Sequence, residues 1–261
     1  ARGAAAGTTP LVRSATGRVA ARAPRMAAGD GANVAAIVLA GGVGSRMKAS
    51  MPKQLLDLCG KPVMLHSLEL FLSLDCVAKV VLVLDAQYHD LVADLRAQHG
   101  DRLVFAAPGA ERQDSVSNGL EQVPEGVELV AVHDSARPLV TRACVMRCID
   151  DAAKHGAAIP AVPCKATIKE GDADGAFVAR TLQRSLLWEV QTPQVVRTET
   201  LRRGFAKVRA EGLEVTDDAS IVEALGEPVK ISAGEYTNLK LTTPEDLIIA
   251  TDLISRGALG V

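Results

Sequence analysis

The chain has 261 residues, nearly half of them apolar, and 29 basic against 31 acidic side chains leave a formal charge of -2. That is enough apolar chain for one sizeable core, and too little positive charge for diffuse nucleic-acid binding, so any bound anion must meet a local site. No apolar run approaches the roughly eighteen residues a bilayer crossing needs, and Cys59, Cys76, Cys144, Cys148 and Cys164 lack both zinc-ligand spacing and a disulfide framework, which predicts reduced thiols packed in a core.

Residues 1–33 carry Arg2, Arg13, Arg18, Arg22 and Arg25 among Ala, Gly, Ser and Thr, and Asp30 is the first acid. This reads as a transit-peptide-like leader without structure of its own. The folded domain is expected over 34–261. It opens with the apolar run 34–40, and further runs follow at 79–84, 103–106, 128–133 and 157–161. Continuous apolar runs imply strands buried on both faces. Helical patterns lie between them at 62–74, 86–99, 111–122 and 141–155. The alternation predicts an α/β fold with a doubly wound, mainly parallel sheet, in which ligands sit beyond the carboxyl ends of the strands.

The rhythm breaks over 163–184, where two β-capable stretches at 166–169 and 177–182 flank the turn-rich Gly171-Asp-Ala-Asp-Gly175. A projecting β-hairpin arm is expected there, a candidate for exchange between subunits. A helix over 198–210 comes next, then Thr216-Asp-Asp-Ala-Ser220. Thr243-Pro-Glu-Asp246 places a capping Thr, a first-turn Pro and two acids at the start of the last helix.

Three strand exits hold the unusual residues. The first reads Leu39-Ala-Gly-Gly-Val-Gly-Ser-Arg-Met47 and is followed by Met51-Pro-Lys-Gln54. Glycines at such a turn let the backbone approach a triphosphate and aim amides at its oxygens, while Arg46 and Lys53 add fixed positive charge. The spacing is neither that of a P-loop nor that of a dinucleotide fingerprint. The second exit, Pro108-Gly-Ala-Glu-Arg-Gln-Asp-Ser115, offers backbone groups at Gly109 and Ala110, the Ser115 hydroxyl and the start of a helix. The third is His133-Asp-Ser-Ala-Arg-Pro138. There Asp134 suits Mg²⁺, which takes one or two carboxylates plus substrate phosphates, and Arg137 can grip a second phosphate. His66, His89, His99 and His155 have no metal-ligand partner at suitable spacing. His133 is placed to orient its loop, and Trp188 is expected to pack.

Together these segments, with Ala166-Thr-Ile-Lys169, Trp188-Glu-Val-Gln-Thr-Pro-Gln194, Thr216-Asp-Asp-Ala-Ser220 and Thr237-Asn-Leu-Lys-Leu-Thr242, resemble the 2-C-methyl-D-erythritol 4-phosphate cytidylyltransferases of the non-mevalonate isoprenoid pathway. The resemblance spans about 34–255. It implies a Rossmann-like nucleotidyltransferase domain that moves CMP from CTP to the sugar-alcohol phosphate and releases pyrophosphate, with Mg²⁺ as cofactor. Arg46, Lys53 and Lys240 would then be catalytic. Ala40, Gly41, Gly42, Gly44, Gly109, Ala110, Arg112, Ser115 and Ser135 would hold the nucleotide, and Asp134 the metal.

Arg137, Thr216 and Lys240 would meet the second substrate, joined by Thr167 and Arg184 from another subunit's arm in a homodimer. No nucleic acid or membrane partner is implied. Some bacterial members carry Asp where this chain has Ala110 or Thr237. Ser135 and Thr237 look more like plant or algal members, which with the Arg-rich leader points to the plastid stroma. Two alternatives stay open at this level: another nucleotidyltransferase on the same scaffold, such as a ribitol-phosphate cytidylyltransferase or a sugar-phosphate pyrophosphorylase, and a CTP-sensing module without chemistry.

Overall fold

The computed structural model describes residues 33–42 and 51–257. The leader expected over 1–33, apart from Asn33, lies outside the described residues, as do Gly44 and Arg46.

The first strand, β1 (Val34–Leu39), is central, and its apolar residues face both ways. Val34, Ala36 and Val38 join one core layer, whereas Ala35 and Ile37 join the other, as the two-residue period of a strand requires. A short hairpin of β2 (Asp57–Leu58) and β3 (Lys61–Pro62) leads into helix α1 (Val63–Ser73), then β4 (Val77–Val83). The helix expected over 86–99 divides into a 3-10 segment, Ala86–Val92, and α2 (Ala93–His99). His89 bonds the Leu84 carbonyl and stacks on Phe105, which holds the first part in the tighter turn. Next come β5 (Leu103–Ala106), α3 (Arg112–Glu121), β6 (Leu129–Asp134), α4 (Arg142–His155) and β7 (Ala157–Pro163).

Four strands, in the order β5-β4-β1-β6, run parallel. The sheet then continues through three strands absent from the sequence reading: β10 (Trp188–Val190), β11 (Gln194–Arg197) and β12 (Lys230–Ala233). β11 lies antiparallel between β6 and β7, β10 pairs with the far end of β7, and β12 runs parallel along the other edge of β7. Each has only three or four residues, too few to show a period against Pro193 and Gly234. One face of the sheet carries Met64, Leu68 and Phe71 of α1 with Cys144, Val145, Cys148 and Ile149 of α4. The other carries Val116 and Leu120 of α3, and Leu201, Phe205 and Val208 of α5 (Thr198–Glu211). The expected doubly wound architecture is therefore present. Helices α6 (Asp218–Glu223) and α7 (Pro244–Ser255) follow, and α7 opens on the anticipated Thr243 and first-turn Pro244, with Thr243 and Asp246 closing a capping box.

The arm is a two-stranded hairpin, β8 (Lys169–Gly171) against β9 (Val178–Thr181), and it pairs with no other strand among the described residues. Trp188 at its foot is 43% exposed rather than packed, because its strand pairs only with the last residues of β7. Cys59 also departs from expectation: it sits exposed in the β2–β3 turn with φ 55°, where the chain needs a left-handed residue. Cys144 and Cys148 are buried as expected, and burial pushes the Cys144 thiol up to about 11.

Candidate active site

From β1 the chain steps outward to β4 and β5, then returns across β1 to β6. That reversal opens a crevice at the carboxyl ends of β1 and β6, where a doubly wound sheet has room for a ligand. Leu39 and Asp134 are paired across it. The crevice is a cleft of about 340 Å³ lined by Gly41, Gly42, Lys53, Gly109, Ala110, Arg112, Ser115, Asp134, Ser135 and Lys240 among others. Residues expected from three separate strand exits, and Lys240 from a fourth segment, thus meet in one place.

Each wall has a local cause. Ala40–Gly42 is held by Gln54, whose Nε2 donates to the carbonyls of Ala40 and Gly42. A Cβ on Gly41 would lie 2.5 Å from Cβ of Pro108, so the first and second loops touch only because that residue is glycine. Gly109 donates its backbone N–H to Ser115 Oγ at 2.9 Å, and a Cβ there would run into Asp114. The second loop is thereby folded onto the start of α3, whose capping box joins Glu111 and Asp114. Ser135 is fixed by its own hydroxyl, which donates to the Leu39 carbonyl at 2.7 Å.

The charges are organised around Asp134. Its Oδ2 accepts from Lys240 Nζ at 2.6 Å and its Oδ1 from Arg112 Nε at 3.2 Å. Arg112 turns the rest of its guanidinium to Asp218, at 3.2 and 2.8 Å. Burial works against the Asp134 charge, but Arg112, Lys240 and Arg137 outweigh it and hold the carboxyl well below the usual range. Burial pushes the Asp218 carboxyl up against the pull of Arg112. Lys53 donates to the Leu241 carbonyl at 2.8 Å, which ties it to the backbone next to Lys240.

The remaining expected residues sit elsewhere. Arg137 is largely buried beside the cleft, donating to the carbonyls of Asn238 at 2.7 Å and Val190 at 3.2 Å. Thr216 lines a smaller cavity of about 160 Å³ that shares Arg112 with the main cleft. Thr167 is exposed on the arm, and Arg184 at the arm's base donates to the Lys165 carbonyl at 3.1 Å. His133 does orient its loop. Its ring is buried against Phe71, and its two nitrogens meet the Arg137 carbonyl and the Thr192 hydroxyl. Burial lowers its pKa to about 4, against the pull of Asp134. Sequence reasoning passed over Gln54, Asp218, Gln191, Thr192 and Asn238, all buried polar residues. Their signal was present only as polar letters inside motifs quoted for their neighbours.

A family model for 2-C-methyl-D-erythritol 4-phosphate cytidylyltransferase matches residues 34–256. The chain belongs to this family. As a cytidylyltransferase of this type it is 52% identical over 223 residues to the chloroplastic 2-C-methyl-D-erythritol 4-phosphate cytidylyltransferase of Oryza sativa subsp. japonica, covering 85% of this chain and 75% of that one. It is 44% identical over 225 residues to the enzyme of that name from Geobacillus thermodenitrificans, covering 85% and 97%. Among solved structures, the Thermus thermophilus 2-C-methyl-D-erythritol 4-phosphate cytidylyltransferase superposes with a TM-score of 0.68 at 33% identity, covering 84% of this chain and 98% of that one. The Anaerococcus prevotii 4-diphosphocytidyl-2C-methyl-D-erythritol synthase gives 0.77 at 28% identity, covering 87% and 100%. The family's cytidylyltransferases thus share the fold that builds the cleft.

Proposed function

We propose that the chain transfers the cytidylyl group of CTP to 2-C-methyl-D-erythritol 4-phosphate, releasing pyrophosphate, in the non-mevalonate route to isoprenoid precursors. The observation that carries this reading is the meeting of a glycine loop, a backbone-lined second loop, a carboxylate paired with two cations, and Lys53 in one cleft at the sheet's switch point. A phosphate oxygen of the acceptor attacks the α-phosphorus of CTP, a new P–O bond forms, and the bond to the pyrophosphate group breaks. No protein nucleophile is required. The barrier lies in bringing two polyanions together and in stabilising charge that grows on the transferring group. Lys53, Arg112 and Lys240 supply fixed positive charge, and Arg46 is assigned beside them by family resemblance. Gly109, Ala110 and Ser115 form the wall suited to the base and ribose.

Asp134 fits a divalent metal: it is an ionised oxygen donor at the cleft floor, and one carboxylate completed by phosphate oxygens is the arrangement Mg²⁺ favours. When bound, Mg²⁺ would neutralise phosphate charge and hold the triphosphate oxygens in place. Arg137 and Thr216 are assigned to the acceptor from within the chain.

The arm supports a dimer reading. Phe177 is 78% exposed and its neighbour Val178 60%, apolar surface on the arm that a second copy would cover while bringing Thr167 and Arg184 to the acceptor. The chloroplastic rice relative and the Arg-rich leader support a plastid location. Among the described residues no helix is long and apolar enough to cross a membrane. A pyrophosphate-release assay that crosses four nucleoside triphosphates with a panel of polyol and sugar phosphates tests donor and acceptor together. Release confined to CTP with methylerythritol phosphate is expected; equal rates with a sugar 1-phosphate would sink the acceptor assignment.

A further inference from the structure

Asn238 is fully buried, at 0% exposure, two residues before Lys240, which lines the cleft. Its Nδ2 donates both protons, to Gln191 Oε1 at 3.3 Å and to the Thr192 carbonyl at 3.0 Å. Gln191 in turn holds both backbone groups of Glu235, donating to its carbonyl at 2.8 Å and accepting from its N–H at 3.2 Å. The Asn238 carbonyl accepts from Arg137, and the Leu241 N–H donates to the Ala136 carbonyl at 2.8 Å. The segment is thus bolted to the residues that follow β6 on one side and to the β10–β11 connection on the other. From that fixed backbone Lys240 reaches Asp134 and the Leu241 carbonyl reaches Lys53.

Thr192 serves Asp134 from the same connection. The Asp134 N–H donates to Thr192 Oγ1 at 3.1 Å, and the hydroxyl proton goes on to His133 Nδ1 at 3.0 Å. The proton on Nε2 then donates to the Arg137 carbonyl at 3.2 Å, so the partners assign the tautomer. One short connection therefore sets the backbone under both members of the Asp134–Lys240 pair.

We propose that Asn238 and Thr192 are positioning residues for the transfer: the Asn238 carboxamide sets the register of the 237–241 segment, and the Thr192 hydroxyl fixes the end of β6, so that Lys240, Asp134 and Lys53 meet at one point. The inference rests on the functional reading above for its catalytic consequence, and on geometry alone for the placement of Lys240.

The test compares Asn238→Leu, which keeps the volume and removes both donors, with Lys240→Ala and the double variant. Thr192→Val and Thr192→Ser form a second pair. Turnover is read by pyrophosphate release, folding by thermal melting, and the placement of Lys240 by its rate of acetylation with acetic anhydride, followed by peptide mass spectrometry. Asn238→Leu is expected to lower kcat by about 10- to 100-fold, the scale of an ångström-sized misplacement, and to speed Lys240 acetylation as its contact with Asp134 is lost. On the Lys240→Ala background the same change should cost several-fold less, since residues acting through one another are not additive.

Thr192→Val should slow turnover by about 10-fold while Thr192→Ser restores it. A folded Asn238→Leu chain with parental turnover, or with Lys240 acetylated at the parental rate, overturns the proposal. Should Asn238→Leu fail to fold, equal turnover in Thr192→Val and Thr192→Ser overturns it instead. A parent chain that releases no pyrophosphate from CTP would defeat the functional reading, and the acetylation rates would still decide the positioning.

Discussion

Gly109→Ala is the sharpest probe of the nucleotide wall. A methyl group there would lie 2.2 Å from Cβ of Asp114 and 2.8 Å from the Ser115 backbone nitrogen, neither of which is the free end of a flexible side chain. The first turn of α3 must therefore move by about 1 Å, and forcing extra volume into a packed site of this kind costs about 1–3 kcal/mol. At about 2–4 °C per kcal/mol for a chain of this size, melting should fall by several degrees. The larger effect falls on CTP, because Arg112 and Ser115, both in that turn, line the cleft. A misplacement of that size costs up to about 100-fold in kcat/KM. Ser115→Ala serves as the comparison. It removes the acceptor of the Gly109 N–H and the donor to the Glu111 carbonyl without adding volume, each bond worth about 1 kcal/mol net or roughly 5-fold. Steady-state kinetics with CTP varied at saturating acceptor measures both. A folded Gly109→Ala chain with parental kcat/KM for CTP would refute the claim that this close approach shapes the nucleotide wall.

Three further outcomes are expected. Lys53→Ala should lower turnover by about 100-fold or more with the fold intact, the loss seen when one oriented transition-state donor is removed; near-normal turnover in a folded variant would contradict its role. Arg184→Ala should raise the KM for the acceptor far more than that for CTP, and equal effects on both would remove the arm from the site. His133, kept neutral with a pKa of about 4 against an unfolded value of 6.5, binds its proton more weakly folded than unfolded. Its contribution is therefore complete above pH 6.5 and is lost as the pH falls towards 4, by about 3 kcal/mol. Denaturant melts at pH 7 and pH 4.5 should show this loss in the parent and not in His133→Asn; equal losses would assign the pH dependence to other groups.

The sequence was most legible where burial is symmetric. The apolar run at 103–106 coincides with β5, and the start of the run at 34–40 with β1, because a strand covered on both faces needs no polar alternation. The three strand exits that line the cleft followed from that, since each begins where an apolar run stops. Legibility failed where pairing is supplied by distant chain. β10, β11 and β12 exist because β7 offers both edges, and nothing within three or four residues announces that. The same holds for polar support. Asp218 reads locally as one of two acids beginning a short helix, yet it is 1% exposed and locks Arg112 from the far side of the cleft. Arg137 is assigned to the acceptor, and nothing local announces the further contacts it makes. Its guanidinium faces backbone carbonyls of Asn238 and Val190, contacts made across more than fifty residues of chain.

The cations around Asp134 are not equivalent. Arg112 makes three contacts with two carboxylates, one of them fully buried, and releasing it would strand Asp218 without a partner in a place where an unpaired charge is costly. Lys240 has a single contact with Asp134, on a flexible stem that is 38% exposed. An incoming phosphate can therefore draw Lys240 from Asp134 at small cost while Arg112 stays in place. That exchange would leave Asp134 Oδ2 open to help hold the proposed divalent ion, which would be completed by phosphate oxygens. The ion pair would thus keep the proposed catalytic Lys240 and the proposed metal ligand Asp134 mutually compensated until substrate arrives.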